Sequence, residues 1–224
     1  MRVLLTGATG TAGSATLQVL LADPGVVAVT ALSRRPLAER HDKLRVVIHE
    51  DFTDPAPVRG LLAETDAVLW CLGTGQNDVP EAEYVRITYD TALAFARALL
   101  AENPKAAFIF LSGQGADPTE RSRALFGRVK GRTERDLDTL GLARLHHARP
   151  GYIHPVTEKP SRKALERFSM FIEPVFRALF PKHMIDADDL GRALLAAARG
   201  ATETRMLDNV ALQKLAAGPS VITP

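Results

Sequence analysis

The chain has 224 residues, 28 of them Lys or Arg and 26 Asp or Glu, and a net charge of +2 argues against a nucleic-acid binder. Its single cysteine, Cys71, excludes an internal disulfide and a cysteine metal cluster, and suits a reducing compartment. The opening MRVLLTGATG reaches glycine too soon for a secretion signal, and no apolar run approaches the ~20 residues of a membrane span, so the expected location is the cytoplasm, with no membrane partner.

Short apolar runs alternate with amphipathic segments. Val3–Thr6 reads as a strand and Gly13–Ala22 as a helix; Val26–Leu32 and Arg45–Ile48 read as strands. Val58–Ala63 reads as a short helix, Ala67–Leu72 as a strand, Tyr84–Ala101 as a helix and Ala107–Leu111 as a strand. Thr119–Leu140 reads as a helix and Ala143–Ala148 as a sixth strand. Runs rich in Val, Ile, Leu and Ala, bounded by Gly, Pro, Asp or Ser, are typical of parallel strands buried on both faces. This order predicts an α/β fold, a doubly wound parallel sheet with helices on both faces. The rhythm breaks after Pro150, where prolines stand at 155, 160, 174 and 181, and resumes with a helix in DADDLGRALLAAARG that stops at Gly200. The expectation is one domain over 1–224, with 152–185 as a small cap over the carboxyl edge of the sheet.

The first strand runs into TGATGTAG, with Gly7, Gly10 and Gly13 spaced GxxGxxG and a helix opening behind them. The first glycine permits the sharp turn off the strand, the second a close approach of pyrophosphate, and the third tight packing of helix on sheet. With Thr9, Thr11 and Ala12 between them, these residues predict a Rossmann-type dinucleotide site at the free N–H groups of the helix. The second strand leads into Ser33, Arg34 and Arg35, where an acidic residue would favour the 2′-hydroxyl of NAD. Two arginines suit a 2′-phosphate, which favours NADP(H), with NAD(H) as the alternative. Beyond the third strand, Asp51 either accepts from the adenine amino group or opens the next turn, and Phe52 is expected against the base. Leu72, Gly73 and Thr74 after the fourth strand border the ribose region.

Three further motifs lie in register: LSGQGA at Leu111–Ala116, VKG at Val129–Gly131 and RPG at Arg149–Gly151. With TGATGTAG they give the chain, from Met1 to about Pro150, a resemblance to the short-chain dehydrogenase/reductase superfamily in its atypical, NAD(P)H-binding branch. That branch includes NmrA-like proteins and epimerase-type and quinone-reductase-type members. The resemblance implies that Ser112 hydrogen-bonds a substrate carbonyl, that Lys130 holds the nicotinamide ribose, and that Pro150 and Gly151 border the nicotinamide. It also marks a departure. Phe126 occupies the place of the tyrosine that donates the proton, and phenylalanine has no proton to give.

Positions 126 and 130 of a helix lie about 40° apart, so Phe126 is expected to face the pocket that Lys130 enters. Two readings stay open. One is an oxidoreductase that passes hydride from NADPH to a small carbonyl or quinone acceptor, with Tyr152 or His154 as replacement acid. The other is a silent NADP(H)-binding redox sensor acting through a regulatory protein partner, with Phe168–Phe180 as its docking helix or as a segment packed on the domain. Epimerase or dehydratase chemistry is disfavoured, because on this scaffold it resembles cases that use the tyrosine.

Overall fold

The computed structural model describes residues 1–155 and 181–218. Seven parallel strands form the main sheet: β1 (Arg2–Thr6), β2 (Ala28–Ser33), β3 (Leu44–Ile48), β4 (Ala67–Trp70), β5 (Ala107–Leu111), β6 (Arg144–Arg149) and, numbered after two strands outside this sheet, β9 (Met206–Asp208). They lie in the order β3-β2-β1-β4-β5-β6-β9. The helices between them are α1 (Thr11–Ala22), α2 (Arg59–Ala63), α3 (Glu81–Val85), α4 (Thr91–Glu102) and α5 (Leu125–Asp138), followed by α6 (Ala187–Ala198) and α7 (Asn209–Ala217). This is the Rossmann-type α/β architecture expected from the strand–helix rhythm.

Alternation along each strand sorts the core into two layers, since successive side chains point to opposite faces. Val3 and Leu5 of β1, Leu69 of β4 and Ile109 of β5 join one buried cluster with Leu17 and Leu20 of α1 and Leu190 and Leu194 of α6. Leu4, Val68, Trp70, Phe108 and Phe110 point the other way, against Leu93, Phe95 and Leu99 of α4. Trp70, Phe108 and Phe110, the large aromatic rings of this sheet, are all on this second face.

Register brings the carboxyl ends of the strands level. Thr6 pairs with both Leu32 and Trp70, Trp70 with Phe110, and Leu111 with Ala148. The chain therefore leaves β1, β4, β5 and β6 along one edge, and the strand order reverses between β1 and β4, where doubly wound sheets bind ligands. The turn off β1 is built from glycine: Gly7 has φ +69°, and a Cβ there would lie 2.3 Å from the Cys71 carbonyl oxygen. A Cβ on Gly13 would lie 2.1 Å from the Gly7 carbonyl oxygen, so α1 sits directly on the turn it follows.

Several details depart from the sequence reading. The helix expected at Thr119 begins at Leu125, because the Asp117 carboxylate accepts from the N–H groups of Thr119, Arg121 and Ser122 and folds that stretch into a compact loop. The helix expected over Tyr84–Ala101 is divided by a π-helical turn, Arg86–Asp90, from which the Tyr89 hydroxyl donates to Asp136 of α5 at 2.7 Å. Two short strands not expected from the sequence, β7 (Tyr152–His154) and β8 (Met184–Asp186), pair in parallel and join the two ends of the cap segment. The interior of that cap, with the expected docking helix Phe168–Phe180, lies outside the described residues. Strand β9 and helix α7 also escaped the periodicity; the Asp208 side chain caps α7 by accepting from the Ala211 N–H at 2.8 Å.

Gly13→Ala forces a carbon into the space held by the Gly7 carbonyl. It is expected to destabilise the fold by about 1–3 kcal/mol, the usual cost of overpacking, read as a lower midpoint in thermal or urea unfolding. An unchanged midpoint would show that α1 does not depend on this contact.

Candidate functional site

The residues expected to hold the nucleotide lie along the edge formed by β1, β2 and β4. Helix α1 begins with Gly10 as its cap, with no side-chain cap and no acidic residue in its first turn. Its positive end is thus left for an anion. Gly10, unlike Gly7, has ordinary backbone angles, and unlike Gly7 and Gly13 it has room for a side chain: a Cβ there would meet nothing closer than 3.4 Å. Internal packing therefore does not demand a glycine at this position, while a phosphate approaching the backbone does. Thr9, Gly10 and Thr11 are exposed at the turn, and Ala12 and Gly13 are buried behind it. Across the switch point, a Cβ on Gly73 would meet no atom within 4 Å, and the Leu72 N–H is held by the Thr6 hydroxyl at 3.1 Å. Thr74, half-buried, completes this open side of the cleft.

Ser33 ends β2, and its hydroxyl accepts from the Arg35 N–H at 3.3 Å. Arg34 and Arg35 are exposed, and neither guanidinium is in an ion pair among the described residues. Asp51 takes the turn-forming role: one carboxylate oxygen accepts from both the N–H and the hydroxyl of Thr53, at 2.9 and 2.6 Å. These bonds, led by the Thr53 hydroxyl, hold the Asp51 carboxyl below its ordinary value. Phe52 corrects the sequence expectation. It is 5% exposed and packed between His49, Trp70 and Phe95, with ring centroids 5.1, 6.2 and 5.7 Å away. An aromatic ring after a strand suits a base platform, but this one is packed into the aromatic core.

The opposite end of the cleft is a cavity of about 570 Å³ at the ends of β5 and β6. Its walls are Ser112–Gly115, Phe126, Pro150–Ile153 and His183. Ser112 is only 7% exposed, and its hydroxyl has no hydrogen-bond partner among the described residues. A buried, unpartnered hydroxyl in a cavity wall fits a bound oxygen, since such groups are otherwise satisfied. Phe126, at the position where the resemblance expects the tyrosine, lies against Gly113, where a Cβ would be 2.5 Å from the ring, so the phenyl fills the wall. Tyr152 lines the cavity and is 49% exposed; His154, two residues on, does not line it. The histidine in the wall is His183, which the sequence reading missed because β8 brings it back to Gly151 across the cap. The usable signal was the turn Pro181–His183, which precedes β8.

Lys130 and Phe126 share α5 as expected, but Lys130 runs beneath the wall rather than into the cavity. It is 7% exposed; its ammonium donates to the Leu111 carbonyl at 2.7 Å and sits 4.6 Å from the centre of the Phe110 ring. Burial lowers its pKa to about 8, opposed by the nearby Glu134 carboxylate and by Cys71. Glu134, 1% exposed, accepts a two-pronged bond from Arg149, with the Nε contact at 2.9 Å. Desolvation pushes the Cys71 thiol up to about 12, which keeps it protonated and poorly nucleophilic.

A family model described as NAD(P)H-binding matches residues 7–139. Protein fmp52, mitochondrial, from Aspergillus clavatus is 29% identical over 210 residues, covering 90% of this chain and 88% of that protein. The leucinostatins biosynthesis cluster protein T of Purpureocillium lilacinum is 31% identical over 150 residues, covering 66% of this chain and 53% of that protein, so the chain spans about half of this relative's length. A crystal structure of an oxidoreductase of the short-chain dehydrogenase/reductase family from Burkholderia thailandensis superposes with a TM-score of 0.71 and 18% identity, covering 95% of this chain and 93% of that one. At that identity it supports the fold. The expectation of a cytoplasmic protein is corrected by the fmp52 relatives, which match most of the chain and are named mitochondrial. Among the described residues, no helix is long and apolar enough to cross a membrane.

The lowered pKa of Lys130 has a measurable consequence. Between about 8 and the ordinary lysine value of 10.5, the unfolded chain carries more protons at this residue than the folded one. Stability therefore rises with pH through that window. Wild type is expected to gain stability relative to Lys130→Met as the pH is raised from about 8 to 10.5, in parallel urea titrations. A difference that stays constant would contradict the burial of the ammonium.

Proposed function

The chain belongs to the NAD(P)H-binding family, and from that premise we propose that it is an oxidoreductase using NADPH to reduce a small apolar carbonyl or quinone acceptor. The observation that carries the reading is the buried hydroxyl of Ser112, without a partner among the described residues, on a residue that lines a cavity at the end of the cofactor cleft. The cleft residues fit a dinucleotide: the open backbone at Gly10, the uncapped start of α1 and the open side at Gly73 would hold the pyrophosphate and ribose. Arg34 and Arg35 would pair with the 2′-phosphate of NADPH, and Ser33 would bond the same ribose. Bound NADPH supplies a hydride.

The chain's own residues do the rest. Ser112 donates a hydrogen bond to the acceptor oxygen and strengthens it as negative charge develops there. Phe126, Pro150 and Ile153 supply an apolar wall that excludes water from the reacting face. Gln114 N–H donates to the Pro150 carbonyl at 2.8 Å and Ser112 N–H to the Ala148 carbonyl at 2.8 Å, which fixes the two sides of the cavity relative to one another. Lys130, bonded to Leu111, supports the strand end that carries Ser112. Its ammonium has two further N–H donors for a ribose hydroxyl, as the family resemblance implies.

Paired fluorescence titrations with NADPH and NADH test the cofactor choice, followed by NADPH consumption with benzaldehyde and a benzoquinone. Arg34→Ser/Arg35→Ser is expected to weaken NADPH binding by about 10- to 100-fold, the scale of one or two charge-assisted bonds, with little effect on NADH. Equal loss for both cofactors would contradict the 2′-phosphate assignment. Tight NADPH binding without consumption by any acceptor would contradict the oxidoreductase reading and favour a sensor acting through a protein partner.

A further inference from the structure

We propose that His183 is the proton donor of this cavity, acting in place of the tyrosine that Phe126 replaces; this rests on reading the cavity as the acceptor site. The position of His183 is fixed from both sides. The buried Asn209 side chain donates to the Lys182 carbonyl at 3.0 Å and to the Met184 carbonyl at 2.9 Å, and accepts from the Gly151 N–H at 2.9 Å. One amide thus ties the residues flanking His183 to the end of β6. The His183 carbonyl lies against Gly151, where a Cβ would be 2.1 Å away. Such close backbone contact sets the ring at the rim of the cavity that holds Ser112.

The ring is also oriented. Nδ1 lies 2.9 Å from Nε2 and 3.2 Å from Oε1 of the Gln114 side chain. An amide can donate to Nδ1 when that nitrogen is bare and accept from it when it carries a proton. The imidazolium keeps its Nδ1 proton when Nε2 gives up its own, so Gln114 Oε1 accepts from Nδ1 before and after proton loss, and Nε2 is left as the nitrogen to meet a ligand. The other cavity groups suit the task less well. Phe126 has no proton, His154 does not line the cavity, and the ammonium of Lys130 is bonded to Leu111 rather than placed to activate Tyr152. Imidazole is the side chain best matched to proton transfer near neutrality.

The step balances for an aldehyde. The carbonyl carbon gains the hydride as NADPH becomes NADP⁺, the π electrons move onto oxygen, and oxygen takes the proton from Nε2, which water restores. A hydroquinone anion is a far weaker base than an alkoxide, so quinone reduction needs this proton less.

The test uses the full chain, with benzaldehyde and a benzoquinone as probes. His183→Ala and His183→Gln are expected to lower kcat for benzaldehyde by about 100-fold, with a smaller effect on the quinone and an unchanged NADPH Kd. Added imidazole is expected to recover about tenfold in His183→Ala but not in His183→Gln, whose side chain fills the space. A readout without turnover accompanies these: benzaldehyde added to cofactor-free protein should shift the Nε2 resonance of His183 in nitrogen-15 NMR. Wild-type rates in His183→Ala, loss of rate in Tyr152→Phe instead, or an Nε2 resonance that stays still while Tyr152 shifts would each overturn the assignment. Absence of NADPH consumption by wild type with both probes would overturn the oxidoreductase reading and this one with it. Consumption that is indifferent to His183 would overturn this one alone.

Discussion

Parallel pairing in level register is the constraint on which the site depends. Because Thr6, Leu32, Trp70, Phe110 and His147 stand at corresponding heights, the loops that follow their strands open onto one edge. Gly7, Ser33, Gly73, Ser112 and Pro150 are far apart in sequence but share that edge. Their alignment depends on α1 lying flat on the turn after β1, which the missing Cβ of Gly13 permits. A fault in that one contact would move the start of α1, and with it the anion-binding end of the cleft.

Beneath the cavity is a small buried set of charges. Glu134 is paired with Arg149, and Lys130 lies near enough to feel the same carboxylate. Removing one member of a buried pair leaves its partner's charge uncompensated, so such groups are structural whatever else they do. They fix α5 against the ends of β5 and β6, which carry Ser112 and Pro150. Phe126, where the resemblance expects a tyrosine, takes no part in this foundation. Its ring, packed on Gly113, belongs to the wall, and the polar side chains of the cavity among the described residues are Ser112, Gln114, Tyr152 and His183.

The six leading strands and the glycine turn were legible because both rest on local chemistry: runs of buried aliphatic residues, and glycine at an obligatory positive φ. The placements that failed depend on contacts distant in sequence. Phe52 follows a strand as a base platform would, yet Trp70 and Phe95 claim its ring. Helix α5 starts late because one carboxylate, Asp117, gathers the N–H groups ahead of it. His183 is invisible to periodicity, since the three-residue strands β7 and β8 that bring it to the cavity are too short to show a pattern. His154 follows the sixth strand, whose loop should reach the nicotinamide end, yet the strand pairing brings a different histidine to the wall.

The most direct measurement is transfer of deuterium from NADPH labelled at C4 to benzaldehyde, in a single turnover of the stoichiometric protein–NADPH complex, with Ser112→Ala alongside. The account predicts label at the carbinol carbon of the product in wild type. Transfer is expected to slow by about 100- to 1000-fold in Ser112→Ala, the scale of one lost hydrogen bond to a developing negative charge. A complex that binds NADPH tightly and transfers no label, or one whose rate is indifferent to Ser112, would contradict it.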